Sequence, residues 1–421
     1  MNKVEFSKKL GLIFIALLIA VGSLYSHSLI SFLLPFLTIL VIWAQGGLKN
    51  ISLSVSPPLV FFGLFLIWAG MSVFWAEART LTLKTFIASS VTFFFAYLLI
   101  SCLTKANSDL ILKAGFVAKL AGFFLILLML MQILFDIFYI KFSKTSIGIY
   151  IPYHVKKGPY FPYMMKPTGS ILGLTAFVGC ALLWTQKNKF FTALIVFILL
   201  SSLAYLTHCQ TAIYGIILAT IIFILSYAMP FWTTRISMVS SYTFLVLSPL
   251  IYTHLVPFSR IGELPYLKWL FNHSFSHRFI GWEVYSKKFF ERPFLGWGVE
   301  SIRYLPPEPI FANGYVNLIH PHNNSVQAYF ELGLVGGILY ALFFASLFWV
   351  VEKHVKDRLS IAVCNATITF GFVAAEITHN VWRNYWLSLV ALTAGLIILF
   401  LKAREAQLHA EAGHLKPSPT L

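Results

Sequence analysis

Acidic residues are scarce in this 421-residue chain, where 15 Asp and Glu stand against 31 Lys and Arg. Aspartate occurs only as Asp109, Asp136 and Asp357, with no Asp-x-Asp pair of the kind that holds a phosphate-bridging metal. Charge of either sign is thin as well: 11% of residues are charged, where soluble domains carry roughly 25%. That excludes an ordinary soluble globular protein. Cysteine is limited to Cys102, Cys180, Cys209 and Cys364, scattered and without a CxxC, which excludes a disulfide framework and a thiolate metal site. No self-similarity at a period of roughly 20–50 residues is present, so a solenoid is excluded too. The first apolar run follows Lys8 and Lys9 without a small-residue cleavage pattern and reads as an anchor, not a removable signal.

What fills the chain is apolar: 58% hydrophobic and 17% aromatic residues, with a mean hydropathy of +0.80. Runs long enough for the roughly 17–25 residues of a bilayer-spanning helix recur along the whole length. They predict an all-α integral membrane protein of about twelve spans, near 10–26, 28–45, 57–76, 85–104, 112–138, 169–186, 189–206, 211–229, 236–255, 325–352, 359–377 and 383–402. One polytopic domain would occupy 1–402, with a loose polar tail at 403–421. Lys3, Lys8, Lys9, Lys49, Lys187, Lys189, Arg235, Lys353, Lys356, Arg358, Lys402 and Arg404 all fall on one side of this arrangement, which is assigned to the cytoplasm.

Polar chemistry gathers on the opposite side. It comprises a basic, aromatic segment at 139–168, the turn His208-Cys209-Gln210, a long loop at 256–324, and the turn Thr378-His379-Asn380-Val381-Trp382-Arg383. In a soluble protein a formal charge of +16 would suggest nucleic acid. Here the cations sit in loops, so lipid phosphates or a phosphate-bearing substrate are the expected partners and nucleic acid is not. Within the long loop Phe279, Trp282, Tyr285 and Phe289 recur at helical spacing, which predicts an amphipathic helix with its aromatics in the headgroup zone. The loop ends at His320-Pro321-His322-Asn323-Asn324, just before an apolar helix that carries Glu331, Gly333, Gly336 and Gly337. Imidazole can take and return a proton near neutral pH, so this turn reads as the rim of a reactive site.

The order of these features resembles the O-antigen ligase and polymerase superfamily of bacterial envelope glycosyltransferases, most nearly the ligases. The carriers are Arg278 and Trp282, then Glu291-Arg292-Pro293 and Gly296-Trp297-Gly298, then Arg303, then His320, His322, Asn323 and Glu331. The likeness is densest over about 270–340. It implies a GT-C-like bundle in the bacterial inner membrane, with a long, partly helical periplasmic loop between spans nine and ten. The implied reaction moves an undecaprenyl-diphosphate-linked glycan to a sugar hydroxyl of lipid A core at the periplasmic face. The attacking oxygen must lose a proton, and the leaving diphosphate needs its growing charge stabilised. Arginine forks can clamp phosphate without a metal, and no cofactor is expected.

On that resemblance His322 is the expected base and His320 the fallback, and Glu331 is expected to orient His322 or pair with an arginine. Arg278 is expected to bind diphosphate or to snorkel at the interface, Arg303 to bind it or serve a structural role, Arg383 to bind it or anchor the chain at the interface, and Asn323 to bind substrate or cap the following helix. Two positions depart from the superfamily pattern. Gln210 stands where an arginine is usual before span eight, and Lys166-Pro167-Thr168-Gly169 replaces an Asn-Arg-Gly at span six, so Lys166 would supply the cation that Gln210 lacks. The glycines after Glu331 are expected to serve close helix packing. Two other functions compete. A sister polymerase would join lipid-linked repeats by the same donor chemistry, and a twelve-span transporter would place its polar residues at the bilayer midplane instead of one face.

Overall fold

The computed structural model describes residues 12–13, 15–21, 27–47, 49, 53–143, 166–184, 190–207, 209–256, 273–304, 308–310, 314–316 and 320–414. Residues 144–165 of the basic segment, His208, and 257–272 of the long loop lie outside them. The helices are α1 (His27–Ala44), α2 (Pro57–Met71), α3 (Arg79–Thr104), α4 (Ser108–Ser143), α5 (Lys166–Trp184), α6 (Phe190–Leu206), α7 (Gln210–Ala228), α8 (Pro230–Leu250), α9 (His273–Phe289), α10 (Asn324–His354), α11 (Arg358–Ile377) and α12 (Asn384–His414). Among the described residues, eight helices are long and apolar enough to cross a membrane, and Ser28–Ala44, Thr168–Trp184 and Phe190–Leu206 are shorter apolar helices. The architecture is that of a multi-pass helical membrane protein. Of the expected first span, 12–13 and 15–21 are described and all helical.

The chain divides into two compact units that interleave in sequence. The first comprises Met1–Leu53, Phe95–Ile221 and Ser388–Leu421. Its core gathers Leu34, Ala96, Leu99, Leu103, Ile111, Ala391 and Leu399. The starts of α5 and α7 lie side by side in it. A Cβ on Gly169 would sit 2.5 Å from Thr207 Oγ1 and 2.8 Å from Cys209 Cβ, so only glycine permits that approach. Outward faces are apolar, as lipid contact demands: Phe191 is 73% exposed and Phe32 70%.

The second unit, Ser54–Phe94 and Ile222–Leu387, holds the loop and the histidines. Here the structure corrects two expectations. Helix α9 forms as its spacing predicts, but its aromatics do not face lipid headgroups. Trp282, Tyr285 and Phe289 are buried against Tyr252, Phe330 and Tyr329, because α9 packs onto α10 and the end of α8. Beyond α9 the loop is not wholly helical: Glu308–Ile310 (β1) and Gly314–Val316 (β2) pair antiparallel with Pro309 opposite Tyr315.

The second correction concerns Gly333. It does more than allow packing; at φ 65°, ψ −161° it breaks α10 into two helices. Several of the freed backbone groups find partners close by. Trp297 N–H donates to Phe330 O at 3.0 Å, Gly298 N–H to Glu331 O at 2.7 Å, and Leu334 N–H to Pro293 O at 2.7 Å. Trp68 Nε1 donates to Leu332 O at 2.9 Å. The Glu291–Gly298 segment is thus the piece that fills the break, which explains its Pro and Gly residues: irregular backbone at membrane depth survives only when protein satisfies it.

A third correction is at the C-terminus. The tail expected to be loose from residue 403 continues α12 to His414. Its Ala, Glu, Gln and Arg residues are strong helix formers, and Arg404–Gln407 and Gln407–Glu411 hydrogen bonds of 3.0 and 2.8 Å support the turns.

Candidate active site

The site is built where α10 begins. Asn323 caps that helix: its Oδ1 accepts from Val326 N–H at 2.9 Å, while its Nδ2 donates to Tyr252 Oη at 3.1 Å. The side chain is wholly buried with both ends committed, so Asn323 holds the helix start and does not face a substrate. Asn323→Ala should lower stability by about 1–2 kcal/mol, read as a reduced Tm of the purified protein, whereas an unchanged Tm would deny the cap its role.

Immediately before the cap, His322 adopts φ +58°, a left-handed conformation that a non-glycine residue holds only under constraint. Two contacts supply it. Trp282 Nε1 donates to Pro321 O at 2.7 Å, pinning α9 to the turn, and His322 Nδ1 lies 3.0 Å from Thr378 O in the turn after α11. A carbonyl only accepts, so the Nδ1 proton of His322 points at Thr378 and the neutral ring keeps its lone pair on Nε2. His320 is held the opposite way. The His322 backbone N–H donates to His320 Nδ1 at 3.2 Å, so the neutral His320 ring carries its proton on Nε2. The two rings stand 4.0 Å apart between centroids, in opposite tautomers.

Both rings are neutral at pH 7. Burial pushes the pKa of His320 down to about 3, reinforced by the charges of His322, Arg383, His379 and Arg303. Burial also holds His322 below the ordinary imidazole value; the Thr378 hydrogen bond opposes that shift and the Arg278 charge adds to it. The three far-side arginines expected at the site therefore all bear on the histidine pair. Arg278 sits one helical turn before Trp282 on α9, partly exposed. Arg303 bonds Glu300 Oε2 at 2.5 Å through Nε, and Arg383 is exposed.

Glu331 is placed differently from its expected roles. Its carboxylate is fully buried and accepts from Gln327 Nε2 at 3.1 Å, from Trp382 Nε1, and from the backbone N–H of Glu300. It joins the break in α10 to the turn after α11, where Gln327 Nε2 also reaches Asn380 Oδ1 at 3.3 Å. The group that orients His322 is instead the Thr378 carbonyl. Gln210 and Lys166 open α7 and α5 in the first unit.

Sequence reasoning placed Thr378 only in a polar turn, because a backbone carbonyl leaves no side-chain signature. It missed Glu376, buried on α11 with Ser325 Oγ at 2.6 Å and Tyr340 Oη at 3.0 Å; an acid inside an apolar span was the signal available. His379, stacked on Trp386 at 4.0 Å between centroids, was noted only as part of a polar turn.

A family model described as O-antigen ligase matches residues 195–341, the stretch from α6 to just past the break in α10. The chain is similar to the O-antigen ligase superfamily. A Rickettsia conorii protein carrying the name "Putative polysaccharide ligase" is 25% identical over 362 residues, 82% of this chain and 81% of its own. Proteins of the same name from Rickettsia felis (25%, covering 77% of this chain and 76% of its own) and Rickettsia bellii (24%, covering 84% and 81%) are also similar. The likeness supports O-antigen ligase-type activity in general, a glycan substrate and a multi-pass membrane setting. The matched stretch includes the helix break and both histidines.

Proposed function

We propose that this protein transfers an undecaprenyl-diphosphate-linked O-antigen glycan to a sugar hydroxyl of lipid A core at the periplasmic face of the inner membrane. His322 is the base, and no metal takes part. The observation that carries the reading is the tautomer of His322: Nδ1–H is committed to Thr378 O, which leaves the Nε2 lone pair for the acceptor hydroxyl. In the transfer the acceptor oxygen bonds to the anomeric carbon as the bond from that carbon to the diphosphate oxygen breaks. The hydroxyl proton passes to His322 Nε2 and the electron pair leaves with the diphosphate. One displacement of this kind inverts the anomeric centre. The charges of Arg278, Arg303 and Arg383 around the pair favour an anionic donor.

Purified protein in proteoliposomes, given undecaprenyl-diphosphate glycan and lipid A core in the presence of chelator, should form glycosylated core. Longer chains from donor alone would assign the polymerase reaction instead, and loss of product on chelation would overturn the metal-free mechanism.

The rate should depend on pH in a definite direction. The base acts only when neutral, and its folded pKa lies below the ordinary value of about 6.5. Transfer should therefore hold at pH 7 and fall only as pH drops below 6.5. The same shifts link to stability. Between about 6.5 and the His320 value of about 3 the unfolded chain binds more protons than the folded one, so stability falls as pH is lowered through that window. An acid limb at or above pH 6.5 in the pH–rate profile would remove His322 as the titrating base.

A further inference from the structure

His320 shares the turn with His322, yet its geometry unsuits it to the same work. Its Nδ1 lone pair is occupied by the His322 backbone N–H at 3.2 Å. Protonating that nitrogen would set one N–H against another, and Nε2 already carries the ring proton. The ring has no free position at which to accept a proton. What it presents is a fixed donor: among the described residues no protein acceptor meets the His320 Nε2–H, and the ring is only partly covered. Its neighbours are cationic or basic. All of His322, Arg383, His379 and Arg303 disfavour a positive charge on it, and the fixed charges of Arg383 and Arg303 attract an anion to it.

We propose that His320 is a neutral hydrogen-bond donor to the departing diphosphate, not a second base. The inference rests on the transfer reaction proposed above and divides its labour between the adjacent rings. His322 Nε2 receives the acceptor's proton, while His320 Nε2–H bonds to a diphosphate oxygen as the electron pair of the broken anomeric bond arrives there. After the diphosphate leaves, the imidazolium of His322 returns its proton to water. A donor already aimed at developing charge costs no reorganisation as the bond breaks.

Glutamine and asparagine separate the two roles. The amide nitrogen of glutamine can reach the place of a histidine Nε2 and donates, but cannot accept a proton; that of asparagine falls short. His320→Ala and His320→Asn should lower kcat about a hundredfold, the effect of losing one such donor, while His320→Gln loses no more than about fivefold. His322→Gln should be as impaired as His322→Ala. As a second measurement, His320→Ala should weaken binding of undecaprenyl diphosphate about tenfold, and His322→Ala should leave that binding near wild type. His320→Gln as poor as His320→Ala, or undecaprenyl diphosphate bound equally well by His320→Ala, would overturn the donor role while leaving the base assignment standing. Failure of wild-type protein to transfer glycan from the lipid diphosphate to lipid A core would instead overturn the parent reaction.

Discussion

His322→Ala is expected to reduce glycan transfer by about a thousandfold with protein abundance and Tm close to wild type. A positioned general base contributes roughly 10²–10⁴ in rate, and no other side chain in the turn can replace it. His320 is adjacent, but its only unprotonated nitrogen already accepts from the His322 backbone, a bond that survives the side-chain truncation. Stability should hold because, among the described residues, His322 makes a single side-chain hydrogen bond, to Thr378 O, and is only partly buried. Alanine keeps the Cβ that strains this left-handed position and gives up the Thr378 contact, but the Trp282–Pro321 bond still holds the turn. The check is a kcat measured on detergent-purified protein beside its thermal unfolding curve. Transfer within tenfold of wild type would show that the proton leaves by another route.

Gly333→Ala is the second large effect, and it acts on folding. At φ 65°, ψ −161° the backbone occupies a region that only glycine enters freely. A Cβ there would collide with the Phe294 carbonyl. Relief would mean withdrawing the 293–298 segment, and with it the bonds Leu334 N–H to Pro293 O, Gly298 N–H to Glu331 O and Trp297 N–H to Phe330 O. Orphaned backbone groups at membrane depth cost several kcal/mol each, so destabilisation should exceed about 3 kcal/mol. The variant should accumulate poorly and lose activity together with its folded fraction. Gly336 differs in having no left-handed φ, although a Cβ there would strike Leu332 Cβ, an atom fixed to the backbone, so substitution there also forces a shift. A Gly333→Ala protein with wild-type Tm would show that the break is not required.

Much of the scaffold was legible in the chain. Apolar runs of bilayer length produce helices because a backbone without water must bond within itself. The 3–4 spacing of Phe279, Trp282, Tyr285 and Phe289 marked α9 for the same reason of periodicity. Where that stripe would bury itself was not legible: lipid headgroups and the face of α10 both reward aromatic contact, and only the chain's path chose the second. The C-terminal extension of α12 was not legible from polarity, which loose tails and exposed helices share; its residues are good helix formers. Glycine after Glu331 was seen, but an ordinary packing glycine and a helix-breaking one have the same letter.

The sequence by itself determined a basic, acid-poor, multi-pass helical protein whose polar chemistry gathers about His320, His322 and a set of loop arginines. Hydropathy and residue type are properties of each position, so they survive without coordinates. The tertiary structure alone decided that Thr378 O and the His322 N–H give the two imidazoles opposite tautomers, that Glu331 binds the α10 break to Trp382 and not to a histidine, and that Asn323 is spent on capping. Each of those is a hydrogen bond whose partner is a backbone group or a side chain distant in sequence, and a ring nitrogen's role is set by its partner, not by its residue.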